Sequence, residues 1–172
     1  MKSPKPMTLT LRALARLLSY PDAELRTHLD ELRHALRTEA ALQPARAAEV
    51  EALIDSLAAQ SAIDAEADYV QLFDSGRRTS LHLFEHVHGD SRDRGPAMID
   101  LAQTFEAAGL YLAEGEMPDH LPVVLEYAST QPPHQARAFL AEMAHIFNVI
   151  FSALQQRDSR YASLLGALIE LA

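Results

Sequence analysis

Apolar residues recur at helical spacing along nearly the whole chain, and prolines and glycines cut that pattern into helix-length pieces. Leu25, Leu29, Leu32 and Leu36 step by four, three and four residues, which places them on one seam. Phe139, Leu140, Met143, Phe147, Ile150, Phe151 and Leu154 form the longest stripe, and its flanks favour one long helix over a strand at 146–151. Leu and Ala dominate and β-branched runs are few, so the pattern predicts helices only.

The punctuation divides the chain. Thr8 or Thr10 is placed to cap a first helix carrying Leu11, Leu14, Leu17 and Leu18, which Tyr20-Pro21 ends. Pro21-Asp22 opens a second helix. Pro44 opens a third, with Val50, Leu53, Ile54 and Leu57 inward. Ser61 or Asp64 caps a fourth, whose inward residues are expected to be Ile63, Ala67, Val70 and Phe73, with Tyr69 and Leu72 beside them. The polar turn 74–80 follows. A helix from about 94 to 108 is expected to bury Met98, Leu101, Ala102 and Phe105 before Gly109 closes it. Asp119 reads as the cap of the next helix, Pro132-Pro133 stop it and start the long one, and Asp158 or Ser159 caps the last. The expected fold is all-α: a single-domain helical bundle over 1–172, with about eight to nine helices.

Composition narrows the function classes. The 172 residues suffice to bury a sizeable core, and 48% of them are apolar. The absence of cysteine excludes disulfides and thiolate metal sites. A net charge of −9 argues against binding to nucleic-acid phosphates. No apolar run approaches the roughly 20 residues that span a bilayer, and Arg12 and Arg16 interrupt any signal-peptide core. The expectation is a cytoplasmic protein without membrane insertion. Neither a glycine-rich phosphate loop nor a His-Glu-x-x-His zinc motif appears, and no cofactor is expected.

One stretch breaks the helical pattern. Leu81 to Gly95, LHLFEHVHGDSRDRG, holds three histidines, three acids, two arginines and two glycines. Such a mixture serves neither a plain core helix nor a solvated loop. It reads as a distorted, charged elbow in which Arg92 and Arg94 fork onto Glu85, Asp90 or Asp93. Ser80 is placed to cap a short helix over 81–86, and Gly89 and Gly95 offer backbone angles that other residues avoid.

Two chemistries fit this elbow from the residues alone. His86 and His88 can simply satisfy hydrogen bonds in a packed bend. Alternatively Glu85, His86, His88 and Asp90 form a metal site of a small metal-dependent hydrolase, with Asp119 and His120 as further candidate ligands. On a helix His86 and His88 would point about 200° apart, so the metal reading needs an extended or turned segment.

The same block carries a resemblance. Leu81 to Gly95, with Tyr69-Val-Gln-Leu72-Phe73-Asp74 before it and Met98-Ile-Asp-Leu101 after it, resembles the respiratory nitrate reductase assembly chaperones (NarJ-type, or delta subunit) of the wider TorD-like family. Met117-Pro118-Asp119-His120-Leu121-Pro122 is similar to a second family step. The resemblance implies a non-enzymatic, all-helical chaperone. Such a protein binds the N-terminal segment of the immature catalytic (alpha) subunit, holds the apo-subunit for molybdenum cofactor insertion, and is absent from the finished enzyme. It implies a peptide groove built from Tyr69, Phe73, Asp74, Glu85, His86, His88, Asp90, Arg92, Arg94, Pro118, Asp119 and His120. Asp74, Glu85, Asp90 and Asp119 would meet basic peptide groups, and the histidines would make binding sensitive to pH. The protein is expected to act as a monomer or weak dimer.

Overall fold

Helix α1 (Thr8–Leu17) buries Thr10, Leu11, Ala13, Leu14, Ala15 and Leu17, so it is enclosed on most of its circumference. At the other end of the chain, α10 (Ala162–Leu171) is buried at every position from Ala162 to Leu168. These two helices are the centre around which the others pack. In this computed structural model, which describes residues 4–172, the first three positions of the expected 1–172 domain lie outside the description. Among the described residues there are ten α-helices, one 3-10 turn and no strand.

The remaining elements are α2 (Ala23–Thr27), α3 (Leu29–Glu39), α4 (Pro44–Ala59), α5 (Ala62–Phe73), the 3-10 turn Leu83–Glu85, α6 (Arg94–Ala107), α7 (Leu121–Ser129), α8 (Pro133–Glu142) and α9 (Ala144–Gln156). Helix α1 packs on α3 and α7, and α10 packs on α4, α8 and α9. One contiguous apolar core runs from Met7 to Leu171. Each fully buried leucine in it contributes about 1.5–3 kcal/mol relative to exposure.

Two predicted helices are each broken in two. The leucine seam 25–36 bends at His28, which leaves the helical region (φ −104°, ψ 12°) while Leu25 and Leu29 stay buried. The long stripe 139–154 breaks at Met143, where α8 and α9 meet at a 65° bend. Neither site has a proline or glycine, so local propensity signals no break. The bend lets Leu140 reach the core from α8 while Phe147, Ile150 and Leu154 reach it from α9. No single helix among the described residues is long and apolar enough to cross a membrane.

Capping and facing also differ from expectation in places. Neither Thr8 nor Thr10 caps α1; the Glu39 carboxylate of α3 accepts from the amides of Leu9 (3.0 Å) and Thr10 (2.8 Å). Asp22 and Ser61 do cap α2 and α5, each accepting from the amide three residues on. On α5 the buried residues are Ala65, Tyr69 and Phe73, and Ile63 (77% exposed) and Val70 (44%) face outward. On α6 only Phe105 is buried, Met98, Leu101 and Ala102 being half-buried, and Gly95 lies inside the helix rather than in the elbow.

Candidate functional site

The elbow is held to the start of α7 by a short antiparallel bridge between His82 and His120. The Leu83 amide donates to the Asp119 carbonyl (3.0 Å), and the Leu121 amide donates to the Leu81 carbonyl (2.8 Å). The two imidazoles stack with centroids 4.8 Å apart at 23°. Two stretches separated by more than thirty residues thereby form one unit.

Asp119 lies beneath this bridge with no exposed surface. Its Oδ2 accepts from the Phe84 amide at 3.0 Å. The side chain therefore caps the 3-10 turn Leu83–Glu85 across the fold, not its own helix; α7 takes His120 at its N-cap without a side-chain bond. The other oxygen, Oδ1, is 3.8 Å from His82 Nδ1, an ion-pair distance rather than a hydrogen bond, and has no hydrogen-bond partner. Burial alone would raise the Asp119 pKa, but the His82 ring and the Phe84 amide outweigh it and hold the carboxyl below its ordinary value. The His82 pKa is raised by Asp119, against an opposing effect of burial. The His120 pKa is lowered by burial and by the His82 charge beside it.

The elbow's outer part is closed locally. The Phe84 carbonyl accepts from His88 (2.8 Å) and Gly89 (3.0 Å). Gly89 then takes φ +52°, which its missing Cβ permits without strain. His86 Nε2 lies 2.8 Å from the Ser80 carbonyl, so that nitrogen carries the proton. His88 sets its ring edge-on to Phe84 at 5.2 Å. Arg94 pairs with Glu85 at 3.6 Å through one nitrogen and donates to the Gly89 carbonyl (3.3 Å) through the other, so it bridges the elbow without the expected fork onto a carboxylate. Asp90 pairs instead with Arg77 (3.4 Å) of the preceding turn, and Arg92 is exposed without a carboxylate partner among the described residues.

The hydrolase alternative needs Glu85, His86, His88 and Asp90 to face one point. Each is engaged with a different neighbour, and among the described residues no three His, Asp or Glu side chains converge into a metal-ligand set. That alternative is without support.

The remaining predicted residues divide by burial. Tyr69 and Phe73 are buried in an aromatic cluster with Tyr161: Tyr69 to Phe73 is 4.8 Å and Phe73 to Tyr161 is 5.1 Å between centroids. The Tyr69 hydroxyl donates to the Leu18 carbonyl at 2.6 Å, and burial pushes its pKa up. Pro118 is buried as well. Asp74, exposed at the C-cap of α5, is close enough for its charge to act on His120. The accessible part of the predicted set is thus Asp74, Glu85, His86, His88, Asp90, Arg92, Arg94 and His120, and Tyr69, Phe73, Pro118 and Asp119 are buried. Two participants escaped the sequence reading. His82 is the ring that faces Asp119, and Arg77 looked like filler in a polar turn. Only long-range pairing reveals either.

With this geometry in view, comparison with known proteins is direct. The chain is 45% identical to the nitrate reductase molybdenum cofactor assembly chaperone NarJ of Escherichia coli, over 92% of this chain and 67% of that protein. It is 33% identical to the Bacillus subtilis protein named NarJ, over 94% of this chain and 86% of that one. Its fold matches a crystal structure described as a redox enzyme maturation protein from Archaeoglobus fulgidus, with a TM-score of 0.68 at 19% identity, covering 98% of this chain and 95% of the other. A family model described as nitrate reductase delta subunit matches residues 19–165, and the chain belongs to that family.

Proposed function

We propose that this chain is an assembly chaperone for a respiratory nitrate reductase. It binds the N-terminal segment of the immature catalytic subunit, keeps the apo-subunit competent for molybdenum cofactor insertion, and leaves before the enzyme is complete. The observation that carries this reading is family membership along most of the chain, which includes the elbow and the Asp119 step. On this reading the protein works in the cytoplasm, as a monomer or weak dimer, and catalyses no reaction.

The elbow suits such a task. Phe84 is half-buried and Val87 is 51% exposed, so apolar surface is available beside Asp74, Glu85 and Asp90. An amphipathic helical peptide lays its apolar face on such a surface and its basic groups near the carboxylates. Asp119 supports the surface from beneath through the Phe84 amide.

Calorimetric titration with a synthetic N-terminal peptide of the catalytic subunit, beside a scrambled control, tests the reading. Saturable heat with the true peptide alone is expected, weakened in an Asp74→Ala, Glu85→Ala double variant whose melting temperature is unchanged. Equal binding of both peptides defeats the proposal, and an undiminished affinity in the folded variant moves the site away from the elbow.

A further inference from the structure

A second concave site lies apart from the His82–His120 bridge. A cavity of about 480 Å³ opens between α4, α5 and the α9–α10 turn. Its floor is apolar, from Leu53, Leu57, Ala65 and Leu72, and its rim carries Arg157 and Arg160. A neighbouring concavity shares Arg157 and adds Arg77 and Arg78, and another shares Arg160. Together they form a groove along the α9–α10 turn, longer than one small molecule needs.

Arginines gather along this groove in an acidic chain, although Lys5, Arg12, Arg26, Arg92 and Arg137 elsewhere are likewise without a carboxylate partner among the described residues. Net charge is −9, and Arg16, Arg33, Arg37, Arg46, Arg77 and Arg94 each pair with a carboxylate. Arg78, Arg157 and Arg160 have no carboxylate partner among the described residues. Arg157 only touches the Leu72 carbonyl, at 3.4 Å. The acids nearby are Asp68, which accepts from the Gln60 side-chain amide at 2.7 Å, Glu49, which pairs with Arg46 at 3.1 Å, and the exposed Asp158. The cavity wall also holds Tyr161, 7% exposed, whose hydroxyl is buried without a hydrogen-bond partner.

We propose that this groove is a second docking site, which takes an acidic segment of a partner protein. Carboxylates of the segment pair with Arg78, Arg157 and Arg160, and one apolar or aromatic side chain enters the cavity. Arg77 borders both sites, lining the groove while it pairs with Asp90 of the elbow.

The test uses the full chain and a short fluorescein-labelled peptide of glutamates flanking a Leu-Phe pair, with lysines in place of glutamates as control. Fluorescence anisotropy is expected to saturate with the glutamate peptide only, and Arg157→Ala with Arg160→Ala to weaken it about tenfold or more. Failure of the glutamate peptide to bind, equal binding of the lysine peptide, or undiminished binding by the double arginine variant overturns the proposal. So does competition by inorganic phosphate at the peptide's own half-saturating concentration, which would mark a bare anion site. The glutamate peptide is not expected to displace the basic peptide from the elbow, so each site stands or falls by its own titration.

Discussion

The Asp119 carboxylate accepts the Phe84 amide at 3.0 Å, across thirty-five residues of chain, from a position with no exposed surface. A residue that would ordinarily cap its own helix instead caps a turn elsewhere, and the elbow takes its shape from it. Asp119→Ala is expected to cost about 1–3 kcal/mol in urea denaturation, because it leaves the half-buried Phe84 amide unpaired. Asp119→Asn keeps an acceptor and is expected to cost less. Hydrogen exchange at Phe84 should speed up in the alanine variant; unchanged protection there would show that the turn does not depend on Asp119.

The stacked imidazoles should titrate apart. His82 is expected above the ordinary histidine value because Asp119 favours its charged form, and His120 below it because burial and His82 disfavour its own. The signs for stability follow by linkage. The His82 contribution is fully present below the unfolded value of about 6.5 and is lost as pH rises through its folded value. The His120 contribution is present above about 6.5 and is lost as pH falls through its folded value. The Asp119 contribution is present above about 3.9 and is lost as pH falls below that. NMR titration of the ring signals checks the order, and His82→Ala should move His120 upward.

Glu39 is the cap that α1 lacks locally. Glu39→Ala is expected to cost about 1 kcal/mol, the scale of a lost helix cap, whereas Thr8→Ala should change little. Equal effects of the two substitutions would return the cap to Thr8.

Thr10 is wholly buried, and its hydroxyl has no hydrogen-bond partner among the described residues. Thr10→Val retains the shape and removes the unpaired oxygen. Thermal unfolding should show the variant at least as stable as the parent, with a gain of up to about 1 kcal/mol. A loss would reveal a hydrogen bond made by that hydroxyl in solution.

On α5 the faces can be told apart by substitution. Ile63→Ser, on the outward face, should lie within about 0.5 kcal/mol of the parent, while Phe73→Ala should cost about 3–5 kcal/mol. The reverse order would mean that the helix is turned.

Much of this protein was determined by local sequence. Pro21-Asp22, Pro44, Ser61 and Pro132-Pro133 mark helix starts because their backbone and side-chain requirements are met within a few residues. The 3.6-residue stripe makes the fold all-helical, and the density of charge and glycine in 81–95 marks the one irregular segment. The bends at His28 and Met143, the face of α5 that points inward, and the Glu39 cap were decided by tertiary structure. Each depends on what a helix meets across the core, which no local pattern records. The site divides in the same way. Arg94 with Glu85 is a nearby pair and legible as such, whereas Asp119 with Phe84 and Arg77 with Asp90 exist only once the chain has folded back. Hydrogen bonds and charges reach a few ångströms in space, and only the fold sets which distant residues come within that reach.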